Sequence, residues 1–264
     1  MAVPVEAGRP SDGLPSRVLL VSNMFPDSGH PKFGSFVAEA ERTIRSLGVS
    51  VDRVVITDPR TGRIRLARKY LLLSVRALTA VIRGGYRQVH AHYLFPSGAL
   101  GALAARIRRV PLVLFAHGSD VLLASWRWPV GAWTRAATQA ADLIITPSDH
   151  LRHEVLRVFG VAESKVVVVP TAVDASVWYP RDRESARTHR GLDPGGTYAL
   201  FAGALDENKG RGFEDVIRAL TDPRLAALRV LRIGEGPRAE VLDRLAVELG
   251  VADRIQTLGF VSAG

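Results

Sequence analysis

Three groups of residues in this chain carry side chains able to do chemistry at one place. The first is a pair of histidines at the ends of apolar runs: His92 in Gln88-Val-His90-Ala-His92, and His117 in Leu112-Val-Leu-Phe-Ala-His117-Gly118-Ser119-Asp120. An imidazole at the carboxyl end of a parallel strand sits where such sheets hold their ligands. His90 is expected to face the packing. Either of the others taken singly is more often structural than catalytic, and the equivalence of their two positions brings the functional reading level with the structural one. The second group is Gly203-Ala-Leu-Asp-Glu-Asn-Lys209-Gly210, a lysine in a glycine-bounded loop ahead of a helix, which suits an anionic phosphate. The spacing is not that of a Walker A loop, and no Gly-x-Gly-x-x-Gly follows the first strand, so a dinucleotide fingerprint is missing. The third comprises the loops Asn23 to Gly34 and Gly234-Glu-Gly236-Pro237, each before a helix. Both serve equally as tight strand-to-helix connections, Pro237 suiting a first helical turn.

The elements that must position these groups alternate in type. Short Val/Leu/Ile runs are expected as strands at Arg17–Ser22, Val51–Thr57, Gln88–His92, Leu112–Ala116, Leu143–Thr146 and Val166–Val169. Helical spacing falls between them at Gly34–Leu47, Leu66–Ile82, Gly98–Arg108, Pro129–Ala140 and Ser148–Phe159. Gly48 reads as a helix-ending glycine and Ser148 as an N-cap. Continuous apolar strands alternating with helices mean a parallel sheet covered on both faces. We expect a disordered leader over 1–16, a first Rossmann-like domain over 17–175, a polar linker over 176–196 and a second, partial one over 197–264. The second holds strands Tyr198–Ala202, Arg229–Ile233 and Arg254–Leu258, with helices Phe213–Leu220 and Arg238–Leu249, and its sheet is expected to be cut short.

Composition excludes several classes. The 264 residues are 47% hydrophobic, too rich for disorder, and contain no cysteine, which removes disulfides, thiolate metal sites and a Cys nucleophile. The longest apolar stretch, Tyr70 to Ile82, is interrupted by Arg76 and too short to span a bilayer. No signal peptide is readable, so a cytoplasmic location is expected. Lys and Arg number 35 against 26 Asp and Glu, a formal net charge of +9. That excess admits a nucleotide, a membrane surface or a nucleic acid. No nucleic-acid motif accompanies it, so nucleic acid is not expected as a partner. The basic, amphipathic segment Arg63–Arg76 reads either as a core-facing helix with arginines on its wet side or as a peripheral contact with an anionic membrane.

Taken together, the motifs carry a family resemblance. They are Asn23, Phe25-Pro26, Pro31-x-x-Gly34-x-Phe36-Val37, His90-Ala-His92 and Ala116-His117-Gly118-Ser-Asp120. Further along come Ala141-Asp142-x-Ile-Ile-Thr-x-Ser148 and Lys165-Val-x-Val-Val-Pro170-x-x-Val173-Asp174. The second domain adds Phe201-x-Gly203-x-Leu205-x-x-x-Lys209-Gly210 and Ile233-Gly-Glu-Gly236-Pro237. Their order and spacing from Arg17 onward resemble the retaining glycosyltransferases of family 4 (the group 1 type), which have the GT-B fold.

The resemblance implies an α/β chain of two Rossmann-like, doubly wound parallel-sheet domains and transfer of a sugar from a nucleotide-sugar donor with retention. It implies a glycan, a lipid-linked sugar or a small molecule as acceptor, and a protein that is cytoplasmic or peripheral on the inner membrane face. By the same resemblance Gly34, Gly203, Lys209, Gly234 and Gly236 lie on the donor side. His117 touches the transferred sugar, Lys209 neutralises the departing diphosphate, and His92 and Asp120 meet the acceptor. No metal or other cofactor is implied, in keeping with the missing Asp-x-Asp motif. Two departures stand out. Ala204 occupies a position where many members carry an arginine, for which Arg211 is a candidate substitute. The family's Glu-x7-Glu region, which grips the donor sugar, lies past Gly264, so the chain is expected to be a truncated enzyme with little transfer activity alone. The alternatives are a non-catalytic fragment or binding module, or one half of a split transferase.

Overall fold

The computed structural model describes residues 13–126, 129–173, 175, 177–207 and 209–259; most of the expected leader, residues 1–12, lies outside them. The chain divides into two compact units, Met1–Ala172 and Val173–Gly264.

The first unit holds six parallel strands: β1 (Arg17–Ser22), β2 (Ser50–Val55), β3 (Gln88–His92), β4 (Leu112–Phe115), β5 (Leu143–Thr146) and β6 (Val166–Val168). Their order is β2-β1-β3-β4-β5-β6. The chain leaves β1 in one direction and returns past it to β3, which creates a topological switch point between β1 and β3. Six helices accompany the strands: α1 (Ser35–Ser46), α2 (Arg63–Arg83), α3 (Ser97–Arg108), α4 (Ser119–Trp126), α5 (Val130–Ala140) and α6 (Asp149–Phe159). β1 explains the uninterrupted Val18-Leu-Leu-Val21. Val18 and Leu20 pack with Val37 of α1, while Leu19 and Val21 join the larger core under α2, α3, α5 and α6. All four are fully buried because both faces of the strand are covered.

Local signals hold where the sequence carried a cap. Ser148 Oγ accepts the N–H of Leu151 at 3.3 Å at the start of α6. Gly48 follows α1 at φ 82°, its N–H bonded to the Arg45 carbonyl.

Two helices fall where none was expected. α4 begins directly at Ser119, inside the stretch read as a ligand loop. The run Val121-Leu-Leu-Ala-Ser-Trp126 is apolar but for Ser125, so its residue types show no helical period. The other is α7 (Arg183–His189), within the 176–196 segment read as linker. It is polar but for Ala186 and is started by Asp182, whose Oδ1 accepts the Ser185 N–H at 2.8 Å.

The second unit contains parallel strands β7 (Thr197–Ala202), β8 (Leu228–Ile233) and β9 (Ile255–Gly259), in that order across the sheet, with α8 (Lys209–Ala219) and α9 (Ala239–Glu248). Leu205, Phe213, Ile217, Val230, Leu242 and Ala246 form its core. α8 starts four residues before the expected Phe213, so Lys209 is the first residue of a helix. Among the described residues no helix is long and apolar enough to cross a membrane.

Candidate functional site

His117 leaves the carboxyl end of β4 and enters a box of rings. The Phe36 and Tyr93 rings each lie 4.6 Å from it, centroid to centroid, and His92 stacks beside it at 5.6 Å. His92 in turn lies flat on Phe115, at 4.2 Å and 8°. Three strand-end loops thus converge at the switch point: α1's entry supplies Phe36, β3 supplies His92 and Tyr93, and β4 supplies His117.

Burial dominates the electrostatics here. It holds the His117 pKa below the ordinary 6.5, with the Asp120 charge opposing it. Burial likewise pushes His92 well below 6.5, helped by His117 and His90, and takes His90 down to about 4. All three imidazoles are therefore neutral at pH 7, each with one N–H and one lone pair in the ring. His90 spends Nε2 on Gln88 Oε1 at 2.8 Å, the packing role expected of it. Among the described residues, His117 Nε2 and both ring nitrogens of His92 are buried without a hydrogen-bond partner. Such groups are rare and costly, about 1–3 kcal/mol each, and they mark a place built for something other than stability. A neutral imidazole there can accept from, or donate to, a hydroxyl.

Asp120 is engaged differently from the acceptor contact expected of it. Its carboxylate is buried in the first turn of α4 and takes three backbone N–H groups: Leu94 at 2.9 Å, Val121 at 3.0 Å and His117 at 3.1 Å. Both oxygens are turned to the backbone, which makes it a clamp between the loops after β3 and β4.

Tyr93 is the residue that sequence reasoning missed. It adopts φ 73°, left-handed and strained for a residue with a Cβ. Its N–H bonds the Phe115 carbonyl at 3.0 Å, and burial, then Asp120, raise its phenol to about 12. Its place directly after His92 was the available signal, but a backbone angle leaves no trace in residue type.

Gly34 caps α1 at φ 78°, and a Cβ there would lie 2.7 Å from the Met24 carbonyl carbon and oxygen. That close approach explains the glycine without a ligand, while leaving its loop at the same end of the sheet. Asn23 locks the end of β1, its Oδ1 accepting Ser97 Oγ at 3.2 Å.

In the second unit, Gly203, Lys209, Gly234 and Gly236 gather at the carboxyl ends of β7 and β8. A Cβ on Gly234, at φ 132°, would stand 1.8 Å from the Gly203 carbonyl oxygen, and one on Gly236 would stand 2.4 Å from that of Leu205. The Leu205 N–H bonds the Glu235 carbonyl at 3.0 Å. These glycines let two loops meet backbone to backbone. Lys209 is exposed, its N–H capped by Asp206 Oδ1 at 2.8 Å. Its ammonium, like the Arg211 guanidinium two residues further along α8, has no carboxylate partner among the described residues. Among those residues no cluster of three or more His, Cys, Asp or Glu is placed to hold a metal ion.

Comparisons with known proteins agree with this architecture. A D-inositol 3-phosphate glycosyltransferase from Catenulispora acidiphila is 30% identical over 192 residues, covering 66% of this chain and 45% of that protein. An alpha-maltose-1-phosphate synthase from Mycolicibacterium smegmatis is 28% identical over 194 residues, 69% of this chain and 45% of the relative. The chain thus spans less than half the length of the curated relatives it matches. Among solved structures, sucrose-phosphate synthase from Thermosynechococcus elongatus superposes with a TM-score of 0.70 at 16% identity, over 94% of this chain and 71% of the other. The Anabaena protein HepE, solved in complex with UDP, gives 0.65 at 17% identity, over 94% and 70%. At such identities the likeness is one of fold, and the fold is α/β with two Rossmann-like parallel sheets, GT-B-like. The family model for Glycosyltransferase Family 4 matches residues 27–177, from the loop after β1 through the whole ring box and past β6. That is more than half of the sequence, and the chain belongs to Glycosyltransferase Family 4.

Proposed function

We propose that this chain serves in a glycosyltransferase that moves a sugar from a nucleotide-sugar donor to a glycan, lipid-linked or small-molecule acceptor, with retention. One observation carries the reading: His117, neutral and boxed by three rings at the switch point, keeps a buried Nε2 with no partner among the described residues. Hydroxyl-rich substrates supply the partner that such a nitrogen lacks. A positioned hydrogen bond of this kind, tighter as charge develops in the transition state, is worth about 100-fold in rate. His92 extends the same polar interior towards the acceptor, and Tyr93 and Phe36 form apolar walls suited to a sugar ring face.

Lys209 and Arg211, exposed and without carboxylate partners at the start of α8, are the cations this reading assigns to the donor diphosphate, whose departure leaves negative charge. Arg211 stands in for the arginine that Ala204 replaces. On this reading the phosphates are met by the chain's own cations, with no metal. Solved structures of the same fold include the Anabaena protein HepE in complex with UDP-glucose, which supports a nucleotide sugar as donor. A cytoplasmic protein, in peripheral contact with an anionic membrane through the Arg63–Arg76 helix, belongs to the same proposal.

The test is a nucleotide-sugar transfer screen on the protein that contains this chain, native and His117→Ala. We expect turnover to fall about 100-fold in a protein that still melts in one cooperative transition. Equal turnover in the variant would remove His117 from the reaction.

A further inference from the structure

The start of α8 is tied down by the residue that precedes α9. The backbone N–H of Arg238 donates to the Leu205 carbonyl at 3.0 Å, and its Nη2 donates to Glu214 Oε2 of α8 at 2.8 Å. Between those two bonds its stem lies over Gly210. A Cβ built on Gly210 would stand 3.2 Å from Arg238 Cδ, 3.6 Å from Arg238 Cβ and 3.5 Å from the Leu205 carbonyl carbon. Gly210 is buried, and it separates the two exposed cations Lys209 and Arg211. One side chain thus joins the loop after β7, the loop after β8 and the first two turns of α8.

The Arg238 guanidinium is already spent. Its side chain is 18% exposed and that of Glu214 26%, so the pair lies mostly out of water and is screened less than a surface pair. The other Glu214 oxygen accepts from Arg218, Nη2 at 2.8 Å and Nε at 3.3 Å. The two guanidiniums, Arg218 first and then Arg238, hold the Glu214 carboxyl below the ordinary 4.5, so it is charged at neutral pH. From the opposite side Asp206 secures the same turn. Its Oδ1 accepts the Lys209 N–H at 2.8 Å, and its carbonyl accepts the Gly210 N–H at 2.9 Å. The backbone at Lys209–Gly210 is therefore held on two sides, while the Lys209 ammonium and the Arg211 guanidinium have no carboxylate partner among the described residues.

We propose that Arg238, paired with Glu214, is a positioning residue for the donor diphosphate: it fixes where Lys209 and Arg211 stand relative to the Gly234–Gly236 turn, without touching the ligand. This rests on the reading of Lys209 and Arg211 as donor cations. A cation on a fixed backbone loses less freedom when it meets a phosphate, and the saving appears as affinity. With the strap cut, the first turn of α8 can lift away from the loop after β8, and binding must order it again. The strap uses one N–H···O bond rather than a bidentate fork, so a lysine at 238 can replace the arginine: it keeps the stem over Gly210 and one charge for Glu214.

The experiment is calorimetric titration of UDP, GDP and ADP into the whole chain, continued with whichever binds most tightly. Arg238→Gln and Glu214→Gln, made separately, should each weaken that binding about fivefold. Arg238→Lys should return it to within about twofold of native. Arg218→Gln removes the other partner of the same carboxylate and should leave the affinity unchanged. A double-mutant cycle separates positioning from mere support of the fold. In a Lys209→Gln background, Arg238→Gln should cost no more than about twofold, because the main cation it places is gone. Equal losses in the two backgrounds, no rescue by lysine, or native affinity in Arg238→Gln would each overturn the proposal while leaving the donor reading in place. Native affinity in Lys209→Gln, or no binding of any of the three nucleotides, would overturn the donor reading and this proposal with it.

Discussion

The Asp120 carboxylate accepts the backbone N–H of His117 at 3.1 Å through one oxygen and that of Leu94 at 2.9 Å through the other. One buried side chain therefore sets the distance between the loop carrying Tyr93 and the loop carrying His117. Its charge also counters the burial that depresses the His117 pKa.

Replacing Asp120 separates these two effects. Asp120→Asn keeps an acceptor oxygen but removes the charge, so the His117 pKa should fall further, as read by NMR titration of its ring. Asp120→Ala leaves three buried N–H groups without their acceptor and should cost roughly 3 kcal/mol in urea unfolding. An unchanged His117 titration in Asp120→Asn would show the clamp to be purely mechanical.

Acid should weaken the first unit. His90 and His92 bind their protons near 6.5 when unfolded, but His90 does so only at about 4 when folded and His92 lower than usual. Between those values the unfolded chain holds more protons, so stability is full above about 6.5 and is lost as pH falls towards 4. His90 alone accounts for about 3 kcal/mol across that window. His92→Phe, which can stack on Phe115 with no polar nitrogen to satisfy, should flatten the acid limb and raise neutral-pH stability by roughly 1 kcal/mol. Urea midpoints measured from pH 7 to pH 4.5 check both.

Two glycines, both at positive φ, should respond differently to a methyl group. Gly118 sits at φ 94° with nothing within 4 Å of a built Cβ, so Gly118→Ala should cost only the conformational strain, about 1–2 kcal/mol. Gly234, at φ 132°, would drive its Cβ into the Gly203 carbonyl. Gly234→Ala should cost roughly 3 kcal/mol or more and separate the loops after β7 and β8. Thermal melts and limited proteolysis of the 197–259 region distinguish the two outcomes.

Lys209→Gln should weaken binding of a nucleoside diphosphate about tenfold by calorimetry, without altering the melt, because the side chain is exposed. Arg211→Gln tests whether the second cation compensates for Ala204. If it does, the double variant should lose more than either single one.

Much of this was legible in the residues. The strand-and-helix alternation needs only periodicity, and caps such as Ser148 and Gly48 depend on local hydrogen bonding and φ alone. α4 and α7 were not legible, because neither alternates apolar with polar residue types: Val121–Trp126 is almost entirely apolar, and Arg183–His189 is polar but for Ala186.

By itself the sequence determined the two parallel α/β units, the strand-end positions of His92 and His117, and the motif order of the family. These follow from short-range preferences and spacing. Only tertiary structure decided what the strand ends do to one another. It turned Asp120 from an expected acceptor contact into a clamp on two loops, brought Phe36 and Tyr93 against His117, and pressed Gly234 onto Gly203. Those outcomes depend on which strands become neighbours and on a left-handed backbone at Tyr93. Burial of the imidazoles, and so their neutrality, arises only once the sheet and α1 have closed around them.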